Sequence, residues 1–271
     1  MIRPRTPRGI QLGEFLTSRR RAQSRADLGL PPGTRRSEVG LSREEMATLS
    51  GISVSWYTWL EQGREINASR QVLAAVARVL QLNETETEYL FALAAPGASS
   101  PPPEQAPTPE HLHHLVRALP FPAFVIARDW RIVAWNSGYE SLYGPITTLP
   151  VEDRNLLKLI YTDARLREML PDWEVDSRRF LAEFRAESGV RLSSDRHREL
   201  VQELIEASPD FRTQWAEQSV ERFKSRLRTF VHPVAGRLVF EHHRLVPSDA
   251  TDLHVIMYVP VVSDAPTTVE A

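Results

Sequence analysis

The fold of the N-terminal part of this chain is decided by the stretch Ser42–Gly63, which reads Ser-Arg-Glu-Glu-Met-Ala-Thr-Leu-Ser-Gly-Ile-Ser-Val-Ser-Trp-Tyr-Thr-Trp-Leu-Glu-Gln-Gly. Ser42 followed by Glu45 three residues later predicts a helix that begins with a capping box. Gly51 ends that helix in a tight turn, where a residue without Cβ is favoured, and Ser53 begins the next helix. This spacing is typical of a helix-turn-helix, whose second helix can lie in a DNA major groove.

The helical pattern continues on both sides of this stretch. Apolar residues within 12–16 share one helical face, and two further helices are predicted downstream, from Ser69 to about Leu80 and from about Glu84 to Ala94. Five short helices predict a small all-α domain over residues 1–95.

A proline-rich stretch follows, because six of the fourteen residues in 96–109 are proline. Proline disrupts both helix and sheet, so this stretch is predicted to be a semi-rigid linker of up to roughly 40 Å. The alternative is a long surface loop inside one domain.

Beyond the linker, strand patterns come first, helix patterns follow, and strand patterns return at the end. Two β-rich runs, 123–127 and 131–135, flank a predicted turn, and three more runs close the domain at 226–231, 238–244 and 254–261. Helices are predicted between them, at Asn155–Ile160, Ala164–Glu187, His197–Ala207 and Phe211–Gln218. This order predicts an α+β domain with an antiparallel sheet over residues 110–264, followed by a tail at 265–271.

The net charge of −2 conceals an uneven distribution. Residues 1–43 carry a net charge of +7, and all ten of their basic residues are arginine, whereas 44–95 carry −4 and 96–271 carry −5. Arginine suits bidentate contacts with phosphate and guanine, so the basic end indicates a nucleic-acid surface.

Composition also excludes several classes of site and location. The chain has no cysteine, which rules out disulfides, thiolate metal ligands and a cysteine nucleophile. No apolar run approaches the ~18 residues that a membrane span needs, and no secretory signal pattern is visible, so a soluble, cytoplasmic protein that does not bind membranes is expected.

Short motifs occur along nearly the whole chain. The N-terminal motifs are Leu12-Gly13-Glu14-Phe15-Leu16, Ser18-Arg19-Arg20-Arg21, Gly29-Leu30-Pro31, Arg35-Arg36, Val39–Glu45 and Leu60-Glu61-Gln62-Gly63-Arg64. The C-terminal motifs are Ala134-Trp135-Asn136, Arg154-Asn155-Leu156, Asp172-Trp173, Ser208-Pro209 with Phe211, Trp215, and His232-Pro233 with Gly236. With these motifs in this order, the helix-turn-helix resembles the xenobiotic-response-element class, and the chain as a whole resembles the MmyB-like regulators of actinobacteria.

The resemblance implies a set of DNA-binding residues. In members of the wider class, the positions equivalent to Val54, Ser55 and Trp59 face bases. Arg43 and Ser53 fall at positions where phosphates are contacted. Trp59 departs from the pattern, since a polar or arginine side chain is common there. Tryptophan cannot make a bidentate base contact but can pack on a thymine methyl or a sugar; the alternative is packing on a neighbouring helix. Further arginines are candidates for phosphate or minor-groove contacts, with a solvated charge run as the alternative: Arg19, Arg20, Arg21, Arg35, Arg36 and Arg64.

The resemblance also implies a PAS-like domain that binds a small, apolar, fatty-acid-like ligand. Aromatic side chains are the candidate lining, although each of them could equally belong to the core: Phe124, Trp135, Tyr139, Tyr143, Trp173, Phe211 and Trp215. Asn136, Arg154 and His232 are candidate polar contacts. Their alternative roles are helix capping, an ion pair and support of a turn.

Catalytic chemistry finds little support in the sequence. No nucleophile elbow, P-loop or dinucleotide-binding glycine motif occurs, and the close histidines His111, His113 and His114 lack a metal-site pattern, so no catalytic residue, metal or cofactor is predicted. The leading interpretation is a ligand-controlled, homodimeric regulator that binds a double-stranded operator. The alternative is a protein-interaction module, such as an anti-repressor, whose helix-turn-helix does not read bases.

Overall fold

The chain divides into two compact units. The structure is a computed structural model, and it describes residues 6–31, 40–64, 66, 68–95, 108–188 and 195–261. The first unit comprises the described residues of Met1–Gln105 together with Arg178–Arg222, and the second comprises those of Ala106–Ser177 and Phe223–Ala271. Within the described residues, no helix combines the length and the apolarity that a bilayer crossing requires.

Helices build the first unit. The five helices expected before residue 96 are confirmed, and three more come from the region after residue 172. Their bounds are α1 (Pro7–Ala22), α2 (Arg43–Ser50), α3 (Val54–Glu61), α4 (Arg70–Val79) and α5 (Glu84–Ala94). The remaining bounds in this unit are α10 (Trp173–Ser188, which belongs to it from Arg178 onward), α11 (Asp195–Ala207) and α12 (Pro209–Ala216).

The helix-turn-helix forms because its ends are capped as the sequence predicts. The Ser42 hydroxyl accepts a hydrogen bond from the Glu45 backbone N–H, and the Glu45 carboxylate accepts one from the Ser42 N–H. Gly51 ends α2 in the left-handed conformation, with φ of 69°. The Ser53 hydroxyl then accepts from the Trp56 N–H and begins α3. These bonds satisfy donors that the first turn of each helix would otherwise leave unpaired.

Helix α1 approaches the end of α3 closely because Gly13 has no side chain. A Cβ added at Gly13 would collide with the carbonyl oxygen of Glu61. Beside this contact the helices share one apolar core, which includes Phe15, Leu16 and, from the end of the 178–222 segment, Val220. The sequence prediction puts residues 178–222 in the second domain, and in the structure they pack with the helix-turn-helix in the first unit.

The second unit is an α+β domain, as the sequence predicts. Its antiparallel sheet has the order β2-β1-β5-β4-β3, and β1 is buried along its whole length. The strands are β1 (Ala123–Ala127), β2 (Ile132–Trp135), β3 (Arg226–His232), β4 (Gly236–Leu245) and β5 (Leu253–Pro260). The helices are α6 (Glu110–Ala118), α7 (Ser137–Tyr143), α8 (Leu156–Thr162), α9 (Ala164–Met169) and the first residues of α10.

Three details of this unit differ from the sequence prediction. The single helix expected over Ala164–Glu187 is two helices, because Pro171 lies between α9 and α10 and the residue before a proline disfavours helix. Helices α6 and α7 were not predicted; the signal for α7 is Asn136, whose side chain caps the helix by accepting from the Tyr139 N–H. The linker expected at 96–109 lies outside the described residues except for its last two positions, and the tail at 265–271 lies wholly outside them.

Candidate DNA-binding surface and ligand cleft

The solvent-facing side of helix α3 carries both polar and apolar side chains. The inner side of the helix, with Tyr57 and Leu60, is buried in the core of the first unit. Ser53 and Ser55 are exposed in its first turn, and Val54 and Trp59 are each 41% exposed. The four α3 residues expected at DNA therefore share the solvent-facing side of this helix.

Trp59 lies at the surface of the first unit and is not part of its buried core. Its ring is exposed, and the guanidinium carbon of Arg64 lies 5.7 Å from the ring centroid. Cation–π contacts of this kind hold an aromatic ring and a positive charge side by side on the surface. Arg64 is itself exposed, so the pair offers one apolar and one cationic group next to each other.

A buried ion-pair network joins the three helices beneath this surface. The Glu61 carboxylate accepts from the Arg20 Nε at 2.5 Å and Nη2 at 3.1 Å, and from the Arg43 Nε at 2.6 Å. Arg20 also donates to the Leu41 carbonyl at 2.7 Å. Burial of Glu61 raises its pKa, but the bonds from Arg20 and Arg43 outweigh that effect, so its pKa lies below the ordinary value.

This network changes the expectation for Arg20. The residue is buried, and its guanidinium is occupied by Glu61 and Leu41, so it positions α1 against α3 instead of reaching a phosphate. Arg43 belongs to the same network, but its side chain remains 48% exposed at the start of α2. A half-exposed guanidinium at a helix N-terminus suits contact with a phosphate.

The other predicted arginines fall into three groups. Arg21 is exposed on α1. Arg19 is held by Glu86 at 3.1 Å and donates to the Gln218 carbonyl at 2.8 Å, so it stabilises the first unit and is not a free phosphate contact. Arg35 and Arg36 lie outside the described residues.

Arg25, which lies between α1 and α2, supports the helix-turn-helix from outside. It donates to the Glu45 carboxylate at 2.7 Å, the carboxylate that completes the capping box. The pKa of Glu45 is lowered to about 2, chiefly by the hydrogen bond from Arg25 and next by the bond from the Ser42 backbone. The carboxylate therefore remains charged, and the cap intact, at all physiological pH values.

The second unit contains a cleft of about 350 Å³ between α7, α9 and the end of β3. This volume lies at the lower end of the range for small-molecule sites. Three of the predicted ligand residues line it: Tyr139, Tyr143 and His232. Most of the other lining is apolar and comes from Leu142, Pro145, Ile146, Leu149, Leu159, Leu166, Met169, Val231 and Pro233.

An aromatic cluster lies behind the cleft. The Tyr143 hydroxyl bonds the Tyr258 hydroxyl at 2.8 Å, and the Tyr143 ring packs edge-on against Phe230 and Phe124. Burial raises the pKa of Tyr143 well above its ordinary value, so the phenol stays neutral. Phe124 is fully buried in this cluster and belongs to the core, which is the alternative the sequence left open for it.

The candidate polar contacts have structural roles. The buried Asn136 side chain accepts from the backbone N–H groups of Ala123 and Tyr139 and donates to three carbonyls before β1. Arg154 donates to the carbonyls of Leu149 and Thr147, and so fixes a loop. Asn136 and Arg154 therefore leave the set of proposed ligand contacts.

His232 supports a turn and also lines the cleft. Its Nδ1 accepts from the backbone N–H groups of Val234 and Ala235, which supports the turn after β3. Because the residue also lines the cleft, it remains a candidate ligand contact.

The predicted tryptophans and Phe211 lie away from the cleft. Trp135 donates to Glu140, and buried Trp173 donates to the Ile160 carbonyl, so both brace the second unit. Phe211 and Trp215 stack on each other in α12, which belongs to the first unit. None of these four residues lines the cleft, although Trp215 lines two other pockets in the first unit, and an apolar sequence pattern alone does not separate core from cavity.

Sequence reasoning missed all the charged residues of the cleft, which are the carboxylates of Glu140, Asp163 and Glu168 and one cation, Arg165. The Arg165 side chain is 71% exposed, lies 3.5 Å from the Asp163 carboxylate and covers Gly144. The sequence offers no local signal for it, since α9 and the loop at 144–149 converge only in the folded unit.

The fold and these two surfaces define a class of protein: a helix-turn-helix transcription regulator with a separate ligand-binding domain. The comparisons agree. Residues 11–90 match a helix-turn-helix domain family, and residues 108–269, well over half of the chain, match the MmyB-like transcription regulator ligand binding domain. The chain belongs to this MmyB-like family. Both matched families are regulatory and not enzymatic. A search of curated proteins found no match.

Proposed function

We propose that this chain is a sequence-specific regulator that binds operator DNA through α3 and responds to a small, apolar, fatty-acid-like ligand in the cleft of the second unit. The observation that carries the DNA-binding part is the two-sided character of α3. Its inner side is buried in the core, and Ser53, Val54, Ser55 and Trp59 face solvent on its outer side. The proposed phosphate contacts are Arg21, Arg43 and Arg64, whose side chains are exposed. A homodimer would place two such helices on two half-sites.

The test of DNA binding uses the full chain and duplexes selected from a random-sequence library. We expect an enriched sequence whose affinity falls steeply with salt. Each neutralised phosphate adds about −0.9 to the slope of the logarithm of the binding constant against the logarithm of the salt concentration. Ser55→Asp, which puts a negative charge on the exposed face of α3, is expected to weaken binding roughly 10- to 100-fold, measured by fluorescence anisotropy.

The matched control for this variant is Ser137→Asp. Ser137 is an exposed serine in the first turn of α7, in the second unit, so the same charge is added at a comparable helical position. Equal affinities of the two variants, or selection that enriches no sequence at any salt concentration, would favour the protein-interaction alternative.

The ligand part of the proposal is supported by the apolar lining of the cleft and by Arg165, the one cation among lining residues that also include the carboxylates of Glu140, Asp163 and Glu168. Nine aliphatic or proline side chains suit an alkyl chain, while a guanidinium near the opening suits a carboxylate. We therefore place the head group of a fatty acid beside Arg165 and its chain against α9.

Titration with a long-chain fatty acid, followed by calorimetry, tests this placement. Arg165→Ala is expected to lower affinity about tenfold, because an exposed charge-assisted hydrogen bond is lost. The uncharged primary amide of the same fatty acid should bind both proteins equally. Arg117→Ala, which removes an exposed arginine from α6, should leave affinity unchanged. Equal affinity of the acid for the Arg165→Ala and Arg117→Ala proteins would refute the placement.

Residues 178–222 offer a route by which the ligand could affect DNA binding. They belong to the family match for the ligand-binding domain, yet they pack with the helix-turn-helix. Within the first unit the Gln218 amide and carbonyl bond Gln11 and Arg19 of α1, at 2.6 and 2.8 Å. We propose that a change in the ligand domain reaches α1, and through Glu61 reaches α3, along this segment.

A further inference from the structure

The recognition helix lacks the side chains that usually read base edges. Helix α3 reads Val-Ser-Trp-Tyr-Thr-Trp-Leu-Glu and contains no Arg, Lys, Asn or Gln. These four residue types make most of the bidentate contacts to guanine and adenine in the major groove. Its one acidic residue, Glu61, is buried in the ion pairs with Arg20 and Arg43 and cannot accept from cytosine.

The hydroxyl groups on this helix are also largely committed. The Thr58 hydroxyl donates to the Val54 carbonyl at 2.7 Å, and the Ser53 hydroxyl accepts from the Trp56 N–H. Ser55 is the one remaining exposed hydroxyl on α3. A single hydroxyl accepts or donates equally well to several bases, so it discriminates weakly between them.

Apolar groups take the place that polar groups would have. Val54 and Trp59 are each 41% exposed, whereas the opposite face of the helix, with Tyr57 and Leu60, is buried. The two residues are five positions apart, a rise of about 7.5 Å along the helix, which corresponds to roughly two base-pair steps. The neighbouring Arg64 provides a positive charge beside Trp59 for the phosphate backbone.

We propose that α3 reads thymine methyl groups, contacted by Val54 and Trp59, in place of the hydrogen-bonding edges of bases. Among the four bases only thymine presents a methyl group in the major groove, so an apolar recognition face selects thymine by burying that methyl. This inference rests on the proposed DNA-binding function. It specifies two thymines in each half-site, separated by about two base-pair steps.

Replacement of thymine by deoxyuracil tests the proposal, because it removes the methyl group and leaves base pairing unchanged. The probe is the duplex selected by the full chain from the random-sequence library. Each replacement at a contacted thymine is expected to weaken binding about threefold to fivefold, as the loss of one buried methyl predicts. Replacement at thymines outside the two positions should have no effect.

Variants of the two residues assign each methyl group. Trp59→Ala should lower affinity for the thymine duplex and make binding insensitive to deoxyuracil at one of the two positions. Val54→Ala should also lower affinity and make binding insensitive to deoxyuracil at the other position. Each variant thus serves as the control for the other, and thermal unfolding checks that both fold. A loss of affinity without a change in deoxyuracil sensitivity would indicate a merely structural role.

The outcomes separate this inference from the function on which it rests. Salt-dependent binding to an enriched sequence that tolerates deoxyuracil everywhere would overturn the methyl readout and leave the DNA-binding function standing. Absence of any enriched sequence would overturn both. Enrichment of guanine at positions protected by α3 would also contradict the proposal.

Discussion

Replacement of Glu61 by leucine is expected to lower the free energy of unfolding of the first unit by about 3 kcal/mol. The carboxylate is fully buried, and it neutralises Arg20 through two hydrogen bonds and Arg43 through one. Removal of the carboxylate leaves the buried Arg20 guanidinium with the Leu41 carbonyl alone, and an uncompensated buried charge is costly. Thermal unfolding should show a Tm lower by roughly 10 °C.

The double variant Arg20→Met, Glu61→Leu separates the cost of an unpaired charge from a loss of packing. Replacement of both partners by apolar residues of similar size removes the orphaned charge, so most of the lost stability should return. Glu44→Gln, on the exposed side of α2, serves as a surface control with little effect. A single variant as stable as the wild type would show that the network contributes nothing.

The dependence on pH has a definite sign. Because the pKa of Glu61 is lowered in the folded protein, its stabilisation is complete above the unfolded-state value of about 4.3 and is lost as the pH falls through the lower folded value. The wild type should therefore lose stability on acidification through this range. Glu61→Leu should lack that component of the loss.

The second large effect is expected from Val220→Asp. Val220 is 3% exposed and shares its apolar cluster with Phe15, Leu16 and Tyr89 of the helix-turn-helix region. A carboxyl group in that environment must be buried without a partner or expose the cluster to water, at a cost of about 3 kcal/mol. Hydrogen exchange should show that the amides of α1 and α5 lose protection.

Val234→Asp is the matched control, since Val234 is 90% exposed in the turn between β3 and β4. This variant should unfold at the wild-type temperature. If Val220→Asp reduced protection only in the strands of the second unit, the assignment of residues 178–222 to the first unit would be wrong.

Local signals made the helix-turn-helix predictable. Ser42, Glu45, Gly51 and Ser53 each act on backbone groups within a few residues, so their spacing alone specifies two capped helices and the turn between them. Runs of β-branched, aromatic and other apolar residues likewise predict all five strands of the sheet.

The site residues were less predictable because their roles depend on distant partners. Arg20 and Arg21 are neighbours in an arginine run, yet one is buried against Glu61, forty-one positions along the chain, and the other is exposed. The same limit applies to Asn136, whose amide joins segments that sequence spacing does not connect. The cleft depends on the convergence of α7, α9 and β3, so no single window of sequence contains it.

The position of residues 178–222 has a consequence for engineering. A biosensor designer who grafts residues 11–90 onto a foreign sensor would cut the chain where the sequence families divide it. Such a chimaera would lose Val220 from its core. It would also lose the contact of Gln218 with α1 and the contact of Arg222 with Glu88. The portable module is therefore discontinuous, and a graft that also keeps residues 178–222 should retain the stability that the shorter graft loses.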